Sequence, residues 1–428
     1  MAEAKSTAGA LENTNYQLLP ALHKDDYERL KADIALRGVM VPVEVDEDGA
    51  ILDGHHRVMI ARELGIKCPT KVRKGLPDYE KRLHAVALNL ARRQLSDAQK
   101  TVLGEKIEPD IAERARRRML AGKKVNSNPV ENFPQGEISK SRDEVAQAVG
   151  LGSGKTYENH KKTLSEAKEV APEVVERAWC GEADMKAVRK EVKKAKKEKR
   201  EQAAAEVTET VESVEGKEVK SNIEAGTWTE LGRHRLYCGD SSSYDFIAAI
   251  QEQGARLVFA DPPYNAEAAE WDEGFEWGHD FLCDVADFVV VTPGIISIPQ
   301  FLRATEMPYR WAIAAHITNG MTRGAIGFGN WIFGAVFSRG SVHLKEQDCV
   351  DVAIGNHPGA EHKGRKPAQF VAWVIETFTK PNDLIIDPFA GSGTTLLMAE
   401  KLGRRCITAE IIPEYCEGIT SAFAGLSD

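Results

Sequence analysis

No apolar run in this 428-residue chain reaches the ~20 residues that a membrane-spanning helix needs. The opening stretch, MAEAKSTAGALENTN, has no apolar stretch of the kind a secretory signal carries, so a cytoplasmic setting is expected. The seven cysteines stand singly, without a C-x-x-C pair. That excludes a zinc ribbon and a disulfide scaffold and implies a reducing compartment; no metal is expected. Positive charge is in deficit, with 56 Lys and Arg against 65 Asp and Glu, for a net charge of -9. Such a deficit would argue against a nucleic-acid partner if it were uniform, and it is not.

The length implies two or three domains. Residues 1–15 are small and polar and read as a flexible tail. From Tyr16 to Ile107 helix and strand patterns mix. Tyr27, Leu30 and Ile34 recur at helical spacing, VPVEVD alternates as a strand, and AILDG follows the turn EDG as another. HHRVMIARELG then reads as a helix closed by Gly65, and KCPTKVRKG as a third strand, giving a small α+β module. Residues 108–181 read as helical. Arg114, Arg116, Arg117, Arg118, Lys123 and Lys124 form a basic cluster with only Glu113 against it in the sequence. Farther on, Ser141 and Glu144 fit a capping box, Gly150 stops that helix, and a second amphipathic stretch carries Tyr157 and Leu164. Helix, glycine turn, helix is the outline of a helix-turn-helix. Residues 182–222 read as a charged helix and a linker. Met185 to Arg200 holds nine Lys or Arg against two Glu, and EQAAAEVTETVESVEGKEVKSN shows no core pattern.

From Ile223 onward aromatic residues increase, and the strands LVFA, FVVV, WAIAA, IFGAVF and DLIID alternate with helices. This is the pattern of an α/β domain with a parallel sheet. Two strand ends carry chemistry. The first strand delivers Asp261-Pro262-Pro263-Tyr264 at its carboxyl end, where open α/β sheets bind ligands. A carboxylate, a carbonyl freed by the prolines and an aromatic ring suit a flat base bearing an exocyclic amine. The second strand delivers Asp387-Pro388-Phe389-Ala390-Gly391-Ser392-Gly393-Thr394-Thr395 and then a helix, so backbone N–H groups and a helix N-terminus are expected against a ligand. Fifteen residues past Thr395, strand RRCITAE ends in Glu410, a candidate acceptor for two ribose hydroxyls.

On these motifs, residues 223–428 resemble the amino-group DNA methyltransferases that act on adenine N6 or cytosine N4. The catalytic motif precedes the cofactor motif, as in the circularly permuted β class. The segment Tyr237-Cys238-Gly239-Asp240 resembles the motif whose Asp contacts the cofactor adenine, and His362-Lys363-Gly364-Arg365-Lys366-Pro367 resembles the segment that packs on the cofactor. The resemblance implies a Rossmann-like domain with a seven-stranded, mostly parallel sheet and one reversed strand. It also implies S-adenosyl-L-methionine as cofactor, with Asp240, Lys366, Pro367, Asp387, Phe389, Gly391, Gly393, Thr394 and Glu410 around it. Asp261, Pro262, Pro263 and Tyr264 would hold the target base, flipped out of the helix. None of the cysteines follows a proline, which counts against a C5-cytosine enzyme. Asp at 261 favours adenine, with cytosine N4 as the alternative; a protein-glutamine methyltransferase would show Asn there.

Over residues 16–107 the chain resembles the ParB-like N-terminal (ParB/sulfiredoxin) domain, on Leu52-Asp53-Gly54-His55-His56-Arg57 at the start of a helix. Gly54, His55, His56 and Arg57 could form a phosphate or nucleotide site, and a bound nucleotide, nuclease activity and a homodimer are all left open; a convincing pair of metal-binding carboxylates is lacking. SRDEVAQAVGLGSGKTYENHKKTL resembles the helix-turn-helix that accompanies such domains. Its GSGKT is not a P-loop, because Val149 stands where a glycine is required and no strand precedes it. Lys155, Lys161 and Lys162 on the second helix are the candidate contacts to double-stranded DNA, and residues 16–200 are expected to recruit the chain to it. Fusions of this kind resemble phage or prophage proteins. The alternative from another class is a partition or regulatory DNA-binding protein with an idle methylase fold.

Overall fold

A computed structural model describes residues 16–20, 22, 24–90, 92, 94–120, 141–214, 223–263, 275–320, 322–324, 327–341, 347–353 and 366–427. The chain divides into two compact units, Met1–Lys196 and Lys197–Asp428.

The first unit opens with α1 (Lys24–Arg37), β1 (Val43–Val45), β2 (Ile51–Asp53), α2 (His55–Glu63), β3 (Thr70–Val72) and α3 (Asp78–Leu90). β1 lies central, antiparallel to β2 and parallel to β3. The expected EDG turn forms because Asp46 Oδ1 accepts from the N–H groups of Asp48 and Ala50, at 3.0 and 2.8 Å. Lys81 Nζ neutralises the same carboxylate at 2.9 Å. Next comes α4 (Asp97–Leu120), whose Leu103, Ile107 and Ile111 recur at four-residue spacing and are fully buried. They pack with Leu83 and Val86 on one side of the chain and with Val145 and Tyr157 on the other. The boundary expected at 107/108 therefore falls inside one helix, and the α+β module and the helical region share a core. The change of composition at that point reflects the exposed face of α4, not a break in the fold.

α5 (Ser141–Val149) and α6 (Gly154–Val170) form the expected helix, turn, helix. Gly150 ends α5 at φ 73°, a left-handed backbone suited to glycine, and Leu151 N–H returns to the Ala146 carbonyl at 2.8 Å. Ser153 caps α6 by accepting from Thr156 N–H at 3.1 Å. The GSGKT stretch is thus turn and helix start. Glu144 does not act in a capping box: its carboxylate takes Arg118 and, at 3.5 Å, Arg114. The basic cluster consequently has a second, non-local counter-charge beside Glu113, which pairs with Arg117. Lys123 and Lys124 lie outside the described residues.

α7 (Pro172–Cys180) and α8 (Met185–Val214) follow. Val188 and Val192 of α8 are buried in the first unit, and Ala204, Val207 and Val211 are buried in the core of the second. The acidic stretch taken for a linker is helical to Val214. Small apolar residues three and four apart carry its buried face, a weak signal among so many Glu and Thr. The second unit begins at Lys197, not at 223.

The second unit comprises β4 (Thr227–Leu231), β5 (His234–Cys238), α9 (Tyr244–Ile250), β6 (Ala255–Ala260), α10 (Leu282–Val285), β7 (Ala286–Val291), α11 (Ile298–Ala304), β8 (Tyr309–Ile317), β9 (Thr322–Gly324), β10 (Gly327–Gly329), β11 (Trp331–Phe337), β12 (Cys349–Val352), α12 (Ala368–Phe378), β13 (Leu384–Asp387), α13 (Thr394–Lys401), β14 (Arg405–Glu410) and α14 (Pro413–Ser427). β9 and β10 form a hairpin. The main sheet has nine strands in the order β12-β8-β11-β7-β6-β13-β14-β5-β4. Its inner seven match the expected sheet, with β11 antiparallel to both neighbours. The count of seven missed two edge strands: β4, antiparallel to β5 in a hairpin, and β12, parallel to β8. Short edge strands with half-exposed residues carry little hydrophobic signal. The cofactor-motif strand β13 lies directly beside the catalytic-motif strand β6, parallel, with Ile386 opposite Val258.

Candidate functional site

Because β5, β14, β13, β6 and β7 run parallel side by side, their carboxyl ends open on one edge of the sheet. That edge holds Asp240, Glu410, Asp387, Asp261 and Thr292. They line, or adjoin, a cavity of about 490 Å3, within the ~300–1,000 Å3 range of small-molecule sites. Pro262, Pro263, Phe275, His279, Lys366, Phe389, Gly391 and Thr394 also line it. Ten of the candidates named from the sequence are among the 27 residues of that wall. Tyr264 and His362 lie outside the described residues.

Asp261 sits just past the end of β6, with its side chain 21% exposed. Its Oδ1 accepts from Lys366 Nζ and from Thr292 Oγ1, each at 2.6 Å. Burial pushes this carboxyl above the ordinary carboxylate range, and the Lys366 charge opposes that rise. Lys366, expected on the cofactor, lines the same cavity and pairs there with the catalytic-motif carboxylate. Thr292 escaped the sequence reading. Its signal was available, since it ends strand FVVV just before Pro-Gly, the position that Asp261 holds in its own strand.

Asp387 ends β13 and is 2% exposed. Burial lifts its carboxyl to about 7, with a further push from Asp261 and Glu410 and an opposing bond from Thr395. Its oxygen accepts Phe389 N–H at 3.0 Å, which fixes the start of the glycine loop. Glu410, held up at about 6 by burial, accepts Gly391 N–H at 2.7 Å and Ile412 N–H at 2.9 Å. Of the loop N–H groups expected to face a ligand, those of Phe389, Gly391 and Gly393 are engaged within the protein, the last returning to the Ala390 carbonyl at 2.8 Å. The glycines act otherwise. Gly391 takes φ 54°, and a Cβ there would enter open space, so the loop leaves room at the cavity wall. Gly393 takes φ 78°, and a Cβ there would strike Ile419. Asp240 is exposed and its Oδ1 accepts Ser242 N–H at 2.7 Å. Ser241 and His279, also missed, pair at 2.9 Å, and the His279 ring lies tilted against Phe389 with centroids 5.0 Å apart. Burial holds His279 below the usual imidazole range. Among the described residues no cluster of metal-ligand character occurs.

Two buried carboxyl groups and the half-buried Asp261 at one sheet edge disfavour a polyphosphate and favour a cation, while the aromatic wall suits a planar ring. That combination separates this site from the phosphate-binding glycine loops that the motif alone resembles.

The expected phosphate site in the first unit is differently built. Gly54 caps α2 at φ 101°. Arg57 turns its guanidinium onto Asp53 Oδ2 at 2.7 Å and onto the carbonyls of Val41 and Pro42, and only 12% of its side chain is exposed. Arg92 shares Asp53 at 2.6 Å. His56 Nε2 accepts Leu22 N–H at 3.4 Å, and burial lowers His55 to about 4. A pocket of about 340 Å3 adjoins all four residues. Arg57 is held in place as a tie between strand and helix. On α6, Lys161 pairs with Glu108, which also accepts the Tyr157 hydroxyl, whereas Lys155 and Lys162 are exposed.

Residues 331–421 match the family model described as DNA methylase, of the N6/N4 type. The type II methyltransferase M1.MboII of Moraxella bovis is 24% identical over 245 residues, covering 42% of this chain and 92% of that protein. The type II methyltransferase M.PvuII of Proteus hauseri is 44% identical over 68 residues, covering 16% of this chain and 19% of its own length. Among solved structures, a Pnob8-like ParB-N domain aligns at a TM-score of 0.27 with 16% identity, over 40% of this chain and 75% of that one.

Proposed function

We propose, for a chain whose residues 331–421 match the N6/N4 DNA methylase family model, a DNA methyltransferase that transfers the methyl group of S-adenosylmethionine to the N6 amine of adenine. The observation that carries this reading is Asp261, half-buried at the end of β6, in one cavity with Asp387 and Glu410 from the neighbouring strands. The cavity fits the cofactor in three respects: acidic groups for a cationic sulfonium, room beside Gly391, and the Phe389 ring for an adenine. When bound, the cofactor would supply an electrophilic methyl carbon and a sulfur leaving group that keeps the C–S electron pair as the C–N bond forms, the nitrogen's proton passing to water.

The chain's own residues prepare the acceptor. An aromatic amine is a poor nucleophile because its lone pair is delocalised into the ring. Asp261 and the Pro262 carbonyl accept hydrogen bonds from its N–H groups and draw the nitrogen toward a tetrahedral shape, localising the lone pair. Fixed geometry then contributes much of the acceleration. A flipped base costs a few kcal/mol of stacking, which the aromatic ring of Tyr264 would offset by about 1–3 kcal/mol. Incubating the full-length protein with DNA and methyl-labelled cofactor, then digesting to nucleosides, tests the reading. N6-methyladenine supports it, N4-methylcytosine replaces adenine by cytosine, and no labelled nucleoside overturns it.

Cofactor affinity should depend on pH. Glu410 and Asp387 titrate near 6 and 7 in the free protein. A bound cation favours their ionised forms, so affinity rises as pH increases through that window and levels off above it. Calorimetry should show this for S-adenosylmethionine and less for S-adenosylhomocysteine, which lacks the sulfonium charge. Equal slopes for the two ligands would contradict the assignment.

The first unit, in this reading, recruits the enzyme to double-stranded DNA through α6. Lys155→Gln with Lys162→Gln should lower the slope of log affinity against log salt by about 2, near 0.9 per lost phosphate contact. Lys161→Gln should change it little, because that charge rests on Glu108. Salt-dependent fluorescence anisotropy is the measurement, and identical slopes for all three proteins would remove α6 from the interface.

A further inference from the structure

Lys366 and Asp261 are 105 positions apart in sequence, yet their side chains meet at 2.6 Å, with only 10% of the lysine exposed. Thr292, from the end of β7, adds a second donor to the same oxygen. We propose that Lys366 is a positioning residue for methyl transfer: with Thr292 it pins one oxygen of Asp261 and keeps that carboxylate charged in a buried acidic cavity. The inference rests on the methyltransferase reading and deepens it.

The physical case starts from the surroundings of Asp261. Asp387 ends the neighbouring parallel strand β13, and the charge of Asp261 raises its affinity for a proton. Glu410, on β14, adds to the negative field around Asp387. Burial acts in the same direction. A protonated Asp261 would offer one acceptor fewer to an amine and could donate a proton where an acceptor is needed. Lys366 is the charge that counters this crowding, reaching in from the segment ahead of α12, and Thr292 assists as a neutral donor. Holding one oxygen from two directions also fixes the carboxylate plane, which sets the direction in which the amine protons point. Removing the lysine should therefore alter the protonation of Asp261 before it alters anything else.

The test uses full-length protein and compares the parent with K366M and K366R, recording kcat against pH on DNA, together with binding of S-adenosylhomocysteine. In K366M the acid limb of the kcat profile should move up by at least about one pH unit. Activity near pH 7 should fall about tenfold or more and recover in part at high pH. K366R, which keeps the charge, should hold the limb near its parental position. Ligand affinity should stay within about threefold in both variants. If K366M is unfolded by circular dichroism, K366Q is read in the same way. An acid limb that does not move, whatever the loss of amplitude, overturns the inference. So does weakened ligand binding with unchanged kcat, which would return Lys366 to the cofactor. Both results leave the methyltransferase reading intact, whereas a parent protein that transfers no methyl group to DNA overturns that reading and this inference together.

Discussion

Asp261→Ala should reduce kcat for methyl transfer by about a thousandfold or more, while cofactor affinity stays within about fivefold. Two effects add. The amine loses the acceptor that draws its protons, and Lys366 is left in a confined site without its 2.6 Å partner. Removing one partner of so confined an ion pair changes the field in the base pocket as well. Cofactor affinity should survive because Asp387, Glu410 and the glycine loop come from other strands. Asp261→Asn separates the two effects: it keeps the shape and one acceptor oxygen but removes the charge, and it should fall between the parent and the alanine variant. The measurement pairs single-turnover methylation with calorimetry. Residual activity within tenfold of the parent would remove Asp261 from the reaction.

Glu410→Ala should give the opposite split, weakening cofactor binding about 10- to 100-fold while kcat at saturating cofactor changes little. A ribose loses its hydroxyl acceptor, a loss of about 1–3 kcal/mol. The N–H groups of Gly391 and Ile412 also lose their shared acceptor, so the loop that shapes the cavity is released as well. The melting temperature should therefore fall in the absence of cofactor. Glu410→Gln retains an oxygen for one of these N–H groups and should recover part of the affinity. Unchanged affinity in both variants would show that Glu410 serves the fold alone.

The two variants together distinguish an intact catalytic site from an idle methylase fold. An idle site would bind the cofactor and show the Glu410 effect without any activity for Asp261→Ala to remove.

Much of this protein was legible in order along the chain. The alternation of LVFA, FVVV, WAIAA, IFGAVF and DLIID with helical stretches encodes β6, β7, β8, β11 and β13, because each buried strand is written as a continuous apolar run. Asp261, Asp387 and Glu410 could be singled out because a polar residue that ends such a run is placed at a sheet edge. The turn at Gly150 and the cap at Ser153 are local, and local chemistry dictates them.

Only the tertiary structure decided which of these strand ends meet. β6 and β13 are neighbours although more than a hundred residues lie between them, and no local pattern encodes strand order. The same limit hid the ion pairs. Glu144 beside Arg114 and Arg118, Glu108 beside Lys161, and Lys366 beside Asp261 each join residues that no periodicity relates. Charge counted along the chain sees only neighbours in sequence, whereas Coulomb interactions act between neighbours in space. The buried face of residues 204–211 was missed for a related reason: alanine and valine among acidic residues are ambiguous until a sheet is available to cover them. The sequence determined the elements and the chemical groups they carry; packing determined which groups share a cavity, and with it their charge.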